Sequence, residues 1–317
     1  MALRRPPLLP LELILVVKSF VPISDLRTHV CLYKAHPRIA ALYDSEEYPD
    51  DFWERACWHS GIGALGKDNL WAEHCWRDIA LEVIERDGFC THPQCGEALL
   101  EYNAERIGYV QEDYDIKPLS IFSRWKDGLS DLDSFAGSDS GEDDDGENPM
   151  ISMHRALLRT AFRTESSDGY YGVRDEAQLR PVTDAEKAYK GSVLLKDHPL
   201  LERSFATDVP TSILLLSELS RWGLGPGIVR KGTGVTVFDV MAALHSKLDQ
   251  KFDDYEREQV AEELSDYDLP DGWTQEDAYA KFRTLRDVFA VCRLTEFYYD
   301  GTVIDRGPLF SLTFCGN

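Results

Sequence analysis

The stretch Leu9-Pro-Leu-Glu-Leu-Ile-Leu-Val-Val-Lys-Ser-Phe-Val-Pro-Ile-Ser-Asp-Leu26 decides how the chain begins. Pro10 stands where a helix tolerates a missing amide hydrogen. The apolar residues after it recur at intervals of three and four, which is the spacing of one helical face. They are Leu13, Val16, Val17 and Phe20. Pro22 ends this helix, and Ser24-Asp25 can cap a second one that begins near Leu26.

Residues 1–43 continue this pattern and form a helical element. Leu26, Val30 and Tyr33 share one face of the second predicted helix. Pro37 ends that helix before a short third segment. The sequence therefore predicts a helical hairpin followed by one further turn or two of helix.

The run from Leu9 to Leu13, the apolar helix ending at Phe20 and the Val21-Pro22 that follows it resemble the opening of an F-box. The resemblance covers residues 8–43. After Leu26 the chain departs from the family pattern, because this part has no tryptophan and an early Pro37. Members of that family dock on a Skp1-like adaptor protein in a cullin ubiquitin ligase. The resemblance implies a partner-binding set made of Leu9, Pro10, Leu13, Val16, Val17, Phe20 and Leu26.

The charge of the chain is strongly negative, with 56 acidic and 34 basic residues and a formal net charge of −22. Such a field repels phosphate backbones, so we expect no nucleic-acid partner. Residues 1–43 are the exception, because six basic and two acidic residues give them a local charge of +4 and leave −26 on the rest. A basic element suits an acidic partner and speeds their encounter. Skp1-like adaptors are acidic as a family, which agrees with the resemblance.

Cysteine content and hydropathy predict a cytoplasmic or nuclear protein. Seven cysteines, an odd number without a repeating spacing, exclude a complete disulfide framework and favour a reducing compartment. Arg4 and Arg5 before an apolar run imitate a signal peptide, but Glu12 and several prolines interrupt that run. No segment approaches the roughly 18 to 20 uncharged apolar residues of a membrane span, so we expect no membrane partner.

Composition divides the remainder of the chain into three regions: a Trp- and Cys-rich, mainly helical stretch at 44–126, an acidic linker at 127–149 and a mixed part at 150–317. The linker carries like charges at a density that solvates a chain, so we expect disorder there. Ser130 and Ser140 each have an aspartate three residues on, a pattern typical of acidophilic kinase sites. A plain flexible loop and a phosphorylation switch both fit this composition.

The mixed part combines predicted helices with predicted strands. Thr236 and Thr274 each stand three residues before an aspartate, so a capped helix is predicted after each of them, with another at 253–264 between. The helix after Thr274 is predicted to carry Tyr279, Phe282 and Leu285.

The end of the chain changes to the alternation typical of strands. A hairpin turn is predicted at Asp300-Gly301, followed by a last strand with Phe310, Leu312 and Phe314 on one face. The predicted fold class is therefore α+β: an F-box-like helical hairpin and helical region, then an α+β domain with a small antiparallel sheet. The motif GVTVFDVM at 234–241, the Trp273-Thr274 helix start and the turn at 298–301 resemble a fungal domain of unknown function. That resemblance implies no activity.

Cys90, His92 and Cys95 are the nearest approach to a metal site, with Cys57, His59, His74 and Cys75 upstream. Zinc binds four such ligands in a tetrahedron, but no C-x-x-C pair occurs, and a buried reduced cysteine is also a small apolar residue. A zinc-supported domain and packed thiols both stay open, and we assign no metal and no cofactor.

Motifs of catalysis are absent from the sequence: there is no H-E-x-x-H, no G-x-S-x-G and no phosphate-binding loop. We therefore predict no enzyme. The F-box resemblance implies an adaptor, a substrate receptor that binds a Skp1-like protein and an unknown protein target. The alternatives are a non-catalytic interaction or ligand-binding protein whose N-terminal hairpin is structural only, or a zinc-supported domain.

Overall fold

The structure of the chain is a computed structural model. It describes residues 10–45, 49–86, 88, 96–113, 153–154, 157, 160–162, 177–179, 193–194, 199–207, 210–225, 227–265, 269, 272–304 and 307–316. The predicted linker at 127–149 lies outside the described residues. So do six residues on which predictions were made: Leu9, Cys90, His92, Cys95, Ser130 and Ser140.

The N-terminal element consists of three short helices, α1 (Leu11–Phe20), α2 (Leu26–Ala35) and α3 (Pro37–Asp44). Their limits follow from local chemistry. Pro10 precedes α1, and Pro37 occupies the first turn of α3, where its missing N–H costs nothing. The Asp25 side chain accepts a hydrogen bond from the backbone N–H of Thr28 at 3.0 Å and so caps α2. The helices predicted from residues 9–26 are confirmed.

The Trp-rich stretch is helical over α4 (Pro49–His59), α5 (Cys75–Arg86) and α6 (Gly96–Asp113). Trp53 and Trp58 on α4 and Trp76 on α5 are buried, which supplies large apolar volume where α4 and α5 pack together. Asp50 accepts from the backbone N–H groups of Trp76 and Arg77 at 3.1 and 3.0 Å. The start of α4 therefore caps the start of α5.

Two sheets follow along the chain. β1 (Thr160–Phe162), β2 (Ala177–Leu179) and β3 (Val193–Leu194) form an antiparallel sheet in that order. β4 (Ile213–Leu216), β5 (Ile228–Arg230), β6 (Cys292–Ile304) and β7 (Gly307–Gly316) form a second sheet in the order β5-β4-β7-β6. Its pairs are antiparallel except β4 with β7, which run parallel. The α+β prediction is confirmed, with one parallel pair in a mostly antiparallel sheet.

Along the chain, helices precede and connect the strands of the second sheet. They are α7 (Pro199–Arg203), α8 (Ser217–Arg221), α9 (Val237–His245), α10 (Asp254–Ser265), α11 (Gln275–Lys281) and α12 (Leu285–Val291). The capping boxes predicted at Thr236 and Thr274 are both present. A third box, from Thr284 to Asp287, begins α12. The prediction of one helix carrying Tyr279, Phe282 and Leu285 is therefore wrong, because the chain leaves helical geometry at Phe282 and starts again.

The predicted hairpin turn at Asp300-Gly301 is also wrong. β6 runs through these residues, and its pairing with β7 continues to Ile304 opposite Gly307. The register shifts between Tyr299 and Val303, so the additional residues are accommodated as an irregularity inside the strand. The local turn signal is overridden by the pairing on both sides of it.

One continuous group of buried apolar residues extends from Ile14 on α1 to Leu312 on β7. Arg203, at the end of α7, also lies in the interior: it is only 1% exposed, although it is charged. Its guanidinium lies 2.6 and 3.1 Å from the carboxylate oxygens of Asp68 and 3.3 Å from Glu82 on α5. Described residues before and after the predicted linker are thus packed together, whereas the region boundaries stay predictions.

Candidate partner-binding surface on helix α1

Helix α1 presents most of its apolar side chains to solvent. Phe20 is 82% exposed, and Leu13, Val16 and Val17 are 44–50% exposed. Their spacing of three and four residues puts these four side chains on one face, here named the α1 face. Leu15 is similarly exposed, but it lies on a different side of the helix because it does not share the three- and four-residue spacing. The α1 face is an apolar surface on a helix of ten residues.

The other side of α1 holds the helix against the fold. Ile14 is 6% exposed and joins the core. One turn later, the Lys18 Nζ atom lies 4.0 Å from the ring centroid of Tyr43 and 4.7 Å from that of Phe52. These distances are those of cation–π contacts. A single line of two side chains therefore faces inward, and the α1 face lies on the outer side.

Side chains from outside α1 hold the turn between α1 and α2. The Nε2 atom of His29 lies 3.1 Å from the carbonyl oxygen of Pro22. The hydroxyl of Ser60 donates to the carbonyl oxygen of Ser24 at 2.9 Å. A carbonyl oxygen only accepts, so Nε2 of His29 carries the hydrogen. The Nδ1 atom of His29 is 3.0 Å from the hydroxyl of Tyr43.

A cluster of aromatic and imidazole rings packs next to this turn. It is made of His29, Tyr33, Tyr43, Phe52 and Trp53, with neighbouring centroids 5.0–6.0 Å apart. Most pairs meet edge to face, which suits the negative faces and positive edges of aromatic rings. The cluster joins α2, α3 and α4 beneath α1.

The residues that the F-box resemblance implies for partner binding differ in their exposure to solvent. Pro10 is exposed at the start of α1, beside the α1 face. Leu26 is a correction: it is 1% exposed and belongs to the core, so it holds α2 in place and offers no surface to a partner. Leu15 was missed because it falls outside the three- and four-residue spacing.

Part of the positive charge of residues 1–43 is engaged within the chain. Arg27 lies 2.7 Å from the carboxylate of Glu97 on α6 and also bonds the carbonyl of Gly88. Lys34 forms an ion pair with Glu85 on α5. Acidic groups from α5 and α6 therefore neutralise two of the basic residues, and the attraction for an acidic partner is weaker than the sequence predicts.

The cysteines that the structure describes around α4 and α5 are packed thiols. Cys57 and Cys75 are buried. Burial raises the pKa of the Cys57 thiol well above its usual range, and burial with nearby carboxylates raises the pKa of Cys75 to about 11. Thiols that resist ionisation are poor metal ligands. Among the described residues no group of three or more His, Cys, Asp and Glu side chains could hold a metal ion.

Comparison with known proteins found no matching family model, no matching curated protein and no matching solved structure. Within the part of the chain that the structure describes, no helix has the length and apolar character needed to cross a membrane.

Proposed function

We propose that the protein is an adaptor of the F-box type, which binds a Skp1-like protein through the α1 face and presents a protein target to a cullin ubiquitin ligase in the cytoplasm or nucleus. The α1 face is the observation that supports this proposal. Its four side chains are apolar and solvent-exposed, and the contacts that anchor the helix lie on its other side. Contiguous exposed apolar surface is typical of interaction sites.

The energy available from the α1 face suits a specific interface. Burying the exposed part of a Leu, Val or Phe side chain contributes on the order of 1 kcal/mol or more. Phe20, the most exposed of the four, is the natural anchor, because aromatic residues at the centre of an interface dominate binding energies. The α1 face can therefore contribute several kcal/mol to a complex before the costs of association.

A second candidate is an interaction or ligand-binding protein whose N-terminal helices are purely structural. The burial of Leu26, Val30, Ile39 and Tyr43 favours it for α2 and α3. Helix α1 is different, since Ile14 is its one buried residue. The two candidates therefore differ in the role of α1 alone.

The test measures binding of the purified chain to a purified Skp1-like protein by titration calorimetry. The variant Leu13→Gln/Phe20→Gln removes apolar surface from the α1 face without changing the charge or the helix propensity by much. We expect affinity to fall by roughly 30-fold or more, because each of the two anchors lost from an interface costs about 1–2 kcal/mol or more.

Tyr255→Gln is the matched control. Tyr255 is an aromatic residue on helix α10, it is 68% exposed, and it lies far along the chain from α1. It should leave the affinity unchanged. Failure of the wild-type chain to bind, or binding by the double variant as tight as that of the control, would overturn the adaptor proposal.

Removing residues 1–20 separates the two candidates. The adaptor proposal expects a shortened chain that keeps α2, α3 and a cooperative unfolding transition but no longer binds the Skp1-like protein. The structural candidate expects the shortened chain to lose its cooperative transition.

A further inference from the structure

We propose that His29 is the positioning residue that fixes the outward orientation of the α1 face, an inference that rests on the function proposed for that face. His29 lies on α2, is 2% exposed and is not part of the surface itself. Its ring contacts three separate elements. It would therefore act on partner binding through α1 and not by touching the partner.

The geometry around His29 uses both ring nitrogens and one ring edge. Nε2–H donates to the Pro22 carbonyl oxygen, which lies in the turn that leaves α1, at 3.1 Å. Nδ1 lies 3.0 Å from the hydroxyl of Tyr43 on α3. The ring also meets Phe52 on α4 nearly at a right angle, with centroids 5.0 Å apart. One side chain thus ties the end of α1 to α3 and α4.

This tie matters because the contacts of α1 described above are concentrated on one side of the helix. Ile14 and Lys18 provide its inward contacts, and both lie along one line of the helix. A line of contact lets a helix roll, and a roll would carry Phe20 toward or away from its present exposed position. Fixing the carbonyl of Pro22, two residues after the helix ends, opposes such a roll.

The Pro22 hydrogen bond can be separated from the rest of the His29 contacts with two amide side chains. Glutamine places a nitrogen near the position of Nε2 and can keep the donor to Pro22. Asparagine places its polar atoms near the position of Nδ1, so it can keep the Tyr43 contact but not the one to Pro22. Both variants lose the aromatic ring and with it the edge-to-face contact with Phe52.

The experiment compares His29→Gln and His29→Asn by hydrogen exchange of the free chain and by titration with the purified Skp1-like protein. In His29→Asn we expect amides of α1 to exchange roughly two- to ten-fold faster than in His29→Gln, because the partly buried carbonyl of Pro22 loses one of its two donors and keeps the Asp25 N–H at 2.9 Å. Amides of α4 should differ little between the two. Affinity for the Skp1-like protein should be weaker in His29→Asn, and His29→Gln should retain most of it.

Equal exchange of α1 in the two variants, with both still folded by thermal melting, would overturn the positioning role. Faster exchange throughout the chain in His29→Asn would also overturn it, since this would show a general packing role. The exchange measurement needs no partner. If the wild-type chain does not bind the Skp1-like protein while α1 exchange still differs between the variants, the proposed function has failed and the tie of His29 to α1 stands.

Discussion

Replacing Arg203 with methionine should destabilise the fold far more than the loss of a surface ion pair. The guanidinium is 1% exposed and lies 2.6 and 3.1 Å from the two oxygens of Asp68 and 3.3 Å from Glu82. Methionine keeps much of the volume but leaves the carboxylate of Asp68, whose side chain is 9% exposed, without its cation. Removing one partner of a buried pair costs about 3–5 kcal/mol. Glu82 is better solvated and keeps Arg86 at 2.9 Å, so we expect the lower end, about 3 kcal/mol.

The lowered pKa of Asp68 also indicates that Arg203 stabilises the fold. Burial by itself would raise this pKa, but the hydrogen bond and charge of Arg203 outweigh it and hold the pKa below its usual range. Ionised Asp68 therefore stabilises the fold above its unfolded pKa of about 4, and that stabilisation is lost as the pH falls through the folded value. In Arg203→Met the depression of the pKa should disappear. Adding Asp68→Asn removes the orphaned charge and can keep the bond from the Leu65 N–H, now 2.6 Å, so it should recover much of the loss.

Urea unfolding at pH 7 measures these free energies. Arg221→Met is the matched control, because Arg221 is 66% exposed and pairs with Glu263 at 2.8 Å on the surface, where we expect a cost under about 1 kcal/mol. A cost below about 1 kcal/mol for Arg203→Met would refute the view that this pair is part of the interior. So would a double variant with Asp68→Asn that is no more stable than Arg203→Met alone.

Two further predictions concern pH and capping. Burial and the charge of Arg55 lower the pKa of His59 to about 4, so the folded state resists protonation and the fold loses stability as the pH falls from about 6.5 toward 4. Between pH 7 and 5 the wild type should lose about 1–2 kcal/mol more in urea unfolding than His59→Gln, and equal losses would contradict the assignment. Thr284→Ala removes the hydroxyl that accepts from the Asp287 N–H and should cost about 1 kcal/mol, whereas Thr284→Ser should be nearly neutral in the same assay.

Capping boxes and helix ends could be predicted from the sequence because all of their chemistry is local. Thr236 and Thr274 each form hydrogen bonds with an aspartate three residues later, so the local sequence alone specifies the interaction. The box at Thr284 has the same form, but a predicted helix that continues through Phe282 leaves no place for a new helix start there.

Interactions between distant parts of the chain could not be predicted in this way. Arg203 and Asp68 are 135 positions apart, and no local pattern marks one arginine as the buried one. His29 likewise shows no sign in the sequence of its bonds to Pro22 and Tyr43. The turn signal at Asp300-Gly301 failed for a related reason, since the register of β6 is decided by its pairing with β7.

Periodicity found an apolar face on α1 but could not say which way that face points. In an ordinary amphipathic helix of a globular protein, residues spaced like Leu13, Val16, Val17 and Phe20 would face the core. Here Ile14 faces the core and the four periodic residues face solvent. The resemblance to an F-box rests on residue identities, whereas the exposure of the face follows from packing, so the two observations are independent. A substitution confined to the outward side chains therefore tests binding with little disturbance of the fold, which a substitution at Leu26 could not do.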